Sequence, residues 1–480
     1  MSIDGAEPRN IPDNGRAVRL GIESAGRYHR IEYHTPVDNR LAHLDQASFL
    51  ELRARGYGAL IQFTWIYDRP IDIDGLGRFH HNLGYGLLGR RIERSPLPFA
   101  RDRWVLSRAP EDIDIARTPR RRADVSAWAD ERARLPVDPE LGPSWHLGVL
   151  PLEDNGTAIS LVASHTLSDA AGMIVAVVDA AKGRTRNLGY PPPGSRMRRR
   201  AMFDDGRQTL ASAPEVARAL VAAARLVRHN RQDLASSIET APRSPRVAGD
   251  DQAVILPSVT VYIDLEEWDA RAKSLGGTSN SLFAGFASRL GVRVGHVSDD
   301  GAVSLSFPVS QRTEDDSCGN ALTFAVVRVD PTHAARDLGE IRVKIKQALT
   351  EVAENSNEVL ATLPLASMVP KWVARRMLGM GPGAADLAIG CSNLGDVDPA
   401  TNRPDGTDAD YASGRLIMPD VKKSTLERIG RQLFLGSVRI HGKISITVVA
   451  YLVGRVNSRA ELREMTLRTL AEFDLTAMID

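Results

Sequence analysis

The chain has 480 residues, of which 43% are hydrophobic, and its net charge at pH 7 is +1. This many apolar residues can bury a large core, and the length predicts two or three domains. A charge near zero excludes a general nucleic-acid binder, which needs a basic surface. Cys318 and Cys391, the only two cysteines, lie far apart without metal-type spacing. The sequence therefore predicts neither a disulfide framework nor a zinc site.

The N-terminal residues 1–8 are polar and acidic, which predicts that no signal peptide is present. No apolar stretch reaches the roughly 20 residues that are needed to span a bilayer. The expected location is therefore the cytoplasm.

The first predicted elements are a strand, a helix and a second strand that begins with arginines. Residues 60–67 alternate like a strand, and residues 71–74 lead into the helix. The apolar positions of this helix follow helical spacing: Leu76, Phe79, Leu83 and Leu87. Arg90 and Arg91 then begin the second strand.

The most informative segment places His165 and Asp169 four residues apart, directly after an apolar run. Residues 157–163 predict a buried strand, and residues 170–181 predict the helix that follows it. His165 is then expected at the exit of a strand, where its side chain can reach a cleft. Asp169 is expected at the helix start, where the helix dipole favours a carboxylate. A structural interpretation is open as well, because Ser168 or Asp169 can be the N-cap of the helix.

The residues after this helix predict a connection between two lobes. Residues 191–195 contain three prolines and exclude helix or inner strand, and a basic run follows at residues 196–200. Residues 212–215 begin a helix that runs to about His229. Residues 241–253 are again typical of a loop.

The second lobe also mixes strands with helices. Its predicted strands cover residues 258–263, 302–312, 324–329, 432–440 and 445–452, and its predicted helices cover residues 278–290 and 458–473. Arg312 ends one strand, and the sequence Cys318-Gly319-Asn320 follows it. Ser392 and Asn393 follow another short apolar run. His146 and His441 can face a cleft, but neither has informative neighbours in the sequence.

These segments together resemble the CoA-dependent acyltransferase superfamily. That superfamily includes chloramphenicol acetyltransferase, peptide-synthetase condensation domains, wax ester synthase/diacylglycerol acyltransferases and mycobacterial polyketide-associated acyltransferases. Residues 164–172 resemble its His-His-x-x-x-Asp-Gly motif, in which the second histidine is catalytic and matches His165. Ser164 replaces the first histidine and Ala170 replaces the glycine.

Two further motifs carry the same resemblance. The strand that ends at Arg312, with Gly319 and Asn320 downstream, is similar to the Pro-Val-Ser-x-Arg strand and Gly-Asn element of the superfamily. The segment that begins at Ser392 is similar to its Ser-Asn-x-x-Gly element. The motifs occur in the order of the superfamily over roughly residues 50–475.

The resemblance implies an α/β (α+β) fold with two chloramphenicol-acetyltransferase-like lobes that form a V and hold the active site at their interface. The implied domains are an N-terminal acyltransferase-like lobe with the motif, a crossover linker with a helix and a C-terminal acyltransferase-like lobe: residues 1–182, 183–255 and 256–480.

The resemblance also implies acyl transfer without a covalent enzyme intermediate, with His165 as the general base. In the superfamily the carboxylate that matches Asp169 points away from the imidazole and pairs with an arginine. Three arginines are candidates for this partner: Arg90, Arg91 and Arg312. The expected donors to the tetrahedral oxyanion are backbone N–H groups near Gly172 and the side chains of Ser392 or Asn393.

The leading interpretation is an acyltransferase that moves an acyl group from acyl-CoA or an acyl carrier protein to a hydroxyl acceptor on a lipid, glycolipid or polyketide. One alternative is a condensation-type enzyme that forms an amide between carrier-bound substrates. Another is a catalytically silent scaffold, since fold does not determine function. The thioester supplies the electrophile and the leaving group, so no metal or prosthetic group is expected.

The basic run at residues 196–200 and the helix at residues 214–229 also predict weak peripheral contact with an anionic inner membrane face. The alternative is a solvated linker followed by a helix that packs on a lobe.

Overall fold

The computed structural model describes residues 20–22, 28–30, 38–107, 112–229, 252–313, 316–354, 360–379, 388–419 and 421–479. The chain divides into two compact units, Met1–Asp38 and Asn39–Asp480. The described part of the first unit is an antiparallel ribbon of β1 (Leu20–Ile22) and β2 (Tyr28–Arg30). The predicted absence of a signal peptide at residues 1–8 lies outside the described residues.

The second unit begins with a lobe that alternates helices and strands. Its helices are α1 (His43–Arg55), α2 (Ile73–Leu83), α3 (Val125–Ala133) and α4 (Ala170–Ala181). Its strands are β3 (Leu60–Tyr67), β4 (Arg90–Glu93), β5 (Arg103–Leu106), β6 (Asp114–Ile115), β7 (Trp145–Pro151) and β8 (Thr157–Ser164).

Helix α2 ends four residues earlier than its apolar spacing predicts. Gly84 follows its last residue, and Gly86 has a φ of 64°, a left-handed conformation that favours glycine. Leu87 therefore lies outside the helix, although its side chain is buried.

Two helices, α5 (Arg198–Ala211) and α6 (Ala213–His229), occupy the predicted linker. Helix α6 was predicted, but α5 was not, and the last three residues of the basic run, 198–200, form the start of α5. Among the residues of α5 only Ala201 and Asp205 are buried, so the sequence shows little apolar periodicity there. Most of the predicted loop at residues 241–253 lies outside the described residues.

The remaining elements form a second lobe. Its helices are α7 (Leu265–Ser274), α8 (Ser279–Arg293), α9 (Gly339–Glu354), α10 (Lys371–Gly379), α11 (Lys423–Ile429) and α12 (Arg459–Glu472). Its strands are β9 (Ser258–Asp264), β10 (Val303–Ser310), β11 (Leu322–Val329), β12 (Ile389–Asp396), β13 (Tyr411–Ile417), β14 (Gln432–Ile440), β15 (Lys443–Tyr451) and β16 (Met478–Ile479). Short 3-10 helices cover Arg122–Asp124, Leu360–Met368 and Pro399–Asn402.

Two large sheets organise the second unit. One has the strand order β13-β3-β8-β7-β6 and the other has the order β11-β10-β12-β14-β15-β9-β16, while β4 and β5 pair with each other. Strand β13 lies far along the chain but pairs antiparallel with β3, so that Gly414 is opposite Phe63. The predicted segment 256–480 thus supplies an edge strand to the first sheet. The domain boundaries at residues 182 and 255, on either side of the linker, remain predictions.

Strand β8 lies inside the first lobe, and all eight of its residues are buried. Met173 and Val177 of α4 belong to the same apolar cluster as Trp145 and Leu161 of the sheet. Burial of each such side chain contributes roughly 1.5–3 kcal/mol, so the strand and helix on either side of residues 165–169 are firmly held. The predicted α/β class is confirmed. No helix in the described residues is long and apolar enough to cross a membrane.

Candidate active site

His165 lies where β8 ends, as the sequence predicts. Its backbone N–H donates to the carbonyl oxygen of Ala59 at 2.9 Å, which extends the sheet pairing by one residue. The Leu167 N–H closes the following turn on the Ser164 carbonyl oxygen at 3.0 Å. The His165 side chain is half-buried, and its imidazole has no hydrogen-bond partner in the described part of the chain. The ring is therefore positioned by its backbone and can bond to a group that enters from outside.

The Asp169 carboxylate accepts three hydrogen bonds, and none of them comes from His165. Oδ1 accepts from the Gly172 N–H at 2.7 Å and from Arg312 Nη2 at 3.1 Å. Oδ2 accepts from the Ala321 N–H at 2.8 Å. Asp169 is thus the N-cap of α4 and also the partner of an arginine. Asp169 therefore fits both interpretations made from the sequence, the N-cap of the helix and the carboxylate that pairs with an arginine.

Among the three candidate arginines, Arg312 is the one that pairs with Asp169. Its side chain is 5% exposed, and its remaining bonds go to the loop that follows β10. Nη1 donates to the Cys318 carbonyl oxygen at 3.0 Å, and Nη2 donates to that of Gly319 at 2.9 Å. A buried charge pair needs further hydrogen bonds to offset its desolvation, and this loop supplies them to both Nη atoms, while Nε has no partner among the described residues.

Gly172 allows α4 to approach this ion pair closely. A Cβ atom at this position would lie 2.3 Å from Ser168 Oγ and 3.0 Å from Arg312 Cζ. The Gly172 N–H itself is bonded to Asp169 Oδ1 at 2.7 Å. The backbone N–H groups near Gly172 remain the predicted donors to the tetrahedral oxyanion.

Arg90 supports the motif by a different route. It is fully buried, and its guanidinium lies 3.9 Å from the centre of the Trp104 ring. Nη2 donates to the Leu167 carbonyl oxygen at 2.9 Å, and Nη1 bonds to that of Ser317. Burial lowers the pKa of Arg90. Arg91 is half-buried on β4 and has no ion pair among the described residues.

Asp45 of α1 is a site residue that the sequence reasoning missed. It is fully buried and accepts from the Gly319 N–H at 2.8 Å, the Asn320 N–H at 2.7 Å and Asn320 Nδ2 at 3.0 Å. Burial raises the pKa of its carboxyl group. One signal was present in the sequence, since Asp45 lies four residues before the buried Phe49 on the same helix face. An acid in such an apolar stripe needs buried donors.

Ser392 and Asn393 lie on β12 in the second lobe, and neither side chain bonds to the motif. The Asn393 amide donates to Asn280 Oδ1 at 3.1 Å and accepts from Ser437 Oγ at 3.0 Å. One of the two Asn393 amide N–H donors is used in this bonding, and its role as an oxyanion donor remains a prediction. The Ser392 hydroxyl is half-buried and has no hydrogen bond within the described ranges.

His146 lies on β7, and its side chain is hydrogen-bonded within the first lobe. Arg132 Nη2 donates to its Nδ1 at 2.9 Å, and burial lowers the pKa of His146 to about 4. In the described residues no group of three or more His, Cys, Asp or Glu side chains is placed to hold a metal ion.

No family model matches the sequence, and no curated protein matches it. Solved structures do match. The first condensation domain of a calcium-dependent antibiotic synthetase superposes with a TM-score of 0.56 at 13% identity, over 92% of this chain and all of that domain. The chain has the condensation-domain fold.

Two further solved structures share this fold with the chain. Polyketide synthase associated protein 5 from Mycobacterium tuberculosis has a TM-score of 0.52 at 14% identity and covers 91% of this chain and 98% of its own. A trichothecene 15-O-acetyltransferase from Fusarium sporotrichioides has a TM-score of 0.52 at 13% identity and covers 90% of this chain and 94% of its own. The resemblance stated from the motifs is confirmed at the level of the fold.

Proposed function

We propose that the chain is an acyltransferase that moves an acyl group from a thioester, acyl-CoA or an acyl carrier protein, to a hydroxyl group on a lipid, glycolipid or polyketide. The observation that carries this proposal is the burial and hydrogen bonding of His165 and Asp169. Its imidazole is half-buried at a strand end and has no bond in the described residues, whereas Asp169 is fully engaged by other donors.

His165 acts as general base in the proposed step. The acceptor hydroxyl transfers its proton to the imidazole while its oxygen attacks the thioester carbonyl carbon. The tetrahedral intermediate then collapses, the C–S bond breaks, and the leaving thiolate takes the proton from the imidazolium. General-base catalysis of this kind contributes about a hundred- to ten-thousand-fold in rate. The Ser392 hydroxyl is the proposed side-chain donor to the oxyanion.

Asp169 is a positioning residue in this proposal. All three of its hydrogen-bond donors come from groups other than His165, so a proton relay through the carboxylate has no path. It holds the start of α4 and the loop at residues 316–321 beside the turn that carries His165.

A condensation-type reaction is the second candidate, and the likeness to a condensation domain favours it. The same base would then take a proton from an amine, and an amide would form between carrier-bound substrates. The two candidates differ in the acceptor and share the thioester donor. Neither requires a prosthetic group.

The test follows free thiol release from a panel of acyl-CoA and acyl-carrier-protein thioesters by the purified full chain, with and without alcohol or amine acceptors. We expect release that depends on an alcohol and falls at least about a hundredfold in His165→Ala. His81→Ala, on the exposed side of α2, is the matched control and should keep wild-type activity. Thiol release that occurs only with amine acceptors would favour the condensation-type reaction. No release with any thioester would indicate a catalytically silent scaffold.

A further inference from the structure

Helices α5 and α6 combine excess positive charge with exposed apolar side chains. The two helices contain seven arginines and three acidic residues. Two of the acids pair with arginines, Asp204 with Arg200 and Asp205 with Arg103 and Arg196, while Glu215 is hydrogen-bonded to His43. Seven arginines against three acids leave the two helices with a net charge of +4.

The outer face of α5 alternates basic and apolar residues. Arg199, Phe203, Arg207 and Leu210 follow one another at helical spacing and share this face. Phe203 is 71% exposed and Leu210 is 77% exposed, while Ala201 and Asp205 on the opposite face are buried. The helix is thus docked on the protein by one side and presents two large apolar side chains on the other.

The same face continues along α6. Helical hydrogen bonds cross the junction, because the Ser212 N–H donates to the Gln208 carbonyl oxygen at 3.0 Å and the Val216 N–H donates to that of Ser212 at 3.1 Å. The two helices therefore remain close to one helical phase. The exposed residues of α6 at this phase are Arg218, Val221, Arg225 and Arg228. We call the eight residues on the two helices the arginine stripe.

We propose that the arginine stripe binds the surface of an anionic lipid bilayer. Residues 198–229 extend for up to about 48 Å at 1.5 Å per residue, so the stripe is long and narrow. Interfacial helices insert apolar side chains at the boundary between headgroups and acyl chains and keep their basic side chains among the headgroups. A bilayer offers both environments at every point along the stripe, which favours lipid over an acidic protein surface.

This binding does not depend on the chemistry proposed for His165, so either proposal can fail alone. The experiment is co-sedimentation of the full chain with phosphatidylcholine vesicles that contain or lack phosphatidylglycerol. We expect binding only to the anionic vesicles and weaker binding as salt shortens the Debye length. Arg199→Glu with Arg207→Glu should weaken binding at least about twentyfold, since each basic side chain near the headgroups contributes about fivefold.

Phe203→Ser with Leu210→Ser should weaken binding about tenfold, because the apolar contacts are lost. Two exposed residues of the second lobe provide matched controls, Arg463→Glu for charge and Val456→Ser for apolar area. Both should bind like the wild type. The proposal is overturned by absence of binding to anionic vesicles at low salt, by equal weakening in the controls, or by binding to an acidic polypeptide such as polyglutamate but not to vesicles.

Discussion

Asp45 and Asp169 lie 124 residues apart in the sequence and bind adjacent backbone N–H groups of one loop. Asp45 accepts from Gly319 and Asn320, and Asp169 accepts from Ala321. The loop belongs to the second lobe and both carboxylates belong to the first. The turn that carries His165 is therefore held against the second lobe by two buried acids.

Asp45→Asn should reduce both stability and thioester turnover. An amide has one acceptor oxygen and turns N–H donors toward the loop, so at least one buried N–H group is left unsatisfied. The expected loss in the free energy of unfolding is about 1–3 kcal/mol. Urea unfolding measures it. Asp299→Asn, at an exposed position, is the control and should lie within about 0.5 kcal/mol of the wild type. Equal stability of the two variants would contradict the role of Asp45.

Asp169→Ala should lower the free energy of unfolding by about 3–5 kcal/mol, because it leaves the buried Arg312 guanidinium without its counter-charge. The N-cap of α4 is lost in the same variant. The additional substitution Arg312→Met removes the unpaired charge and should recover part of the loss. A double-mutant cycle, measured by thermal or urea unfolding, gives the coupling free energy between Asp169 and Arg312. A double variant less stable than the sum of the two single effects would show that the pair is not stabilising.

Gly172→Ala should destabilise the protein by about 1–3 kcal/mol, since its Cβ would lie 2.3 Å from Ser168 Oγ. Gly77→Ala is the matched control, because Gly77 also lies inside a helix but has open space around the new Cβ. That control should stabilise by about 0.5–1 kcal/mol through the entropy of the unfolded chain. Differential scanning calorimetry of both variants checks the opposite signs. A stable Gly172→Ala protein would mean that Ser168 can move aside.

His146 should make stability fall between about pH 6.5 and pH 4. Burial lowers its folded pKa to about 4 from an ordinary value of 6.5, so on acidification the unfolded state takes up a proton first. The loss starts near the unfolded pKa and is complete below the folded one. Between pH 7 and pH 5 this one group should account for about 2 kcal/mol. Urea unfolding of His146→Gln at both pH values should show a smaller difference than the wild type, and an equal difference would contradict the assignment.

The local part of the site was predictable from sequence, and its long-range part was not. His165 and Asp169 are joined to a strand and a helix whose periodicities are clear, so their places follow from adjacent residues. The choice of Arg312 over Arg90 depends on how the loop after β10 folds onto α4. No periodicity encodes a contact over 143 residues. The partners of Asp45 are equally distant in sequence, although its position four residues before Phe49 on α1 marked the residue itself.

The placement of β13 makes the first sheet dependent on late synthesis. Strand β3 stays an unpaired edge until residues 411–417 reach it, which is about 250 residues after β8 is complete. At roughly 5–20 residues per second, the ribosome needs about 12–50 s to deliver that strand. During this interval the exposed edge is a template for pairing with other chains. Expression at high ribosome density therefore places neighbouring nascent chains in competition with β13 for the same edge.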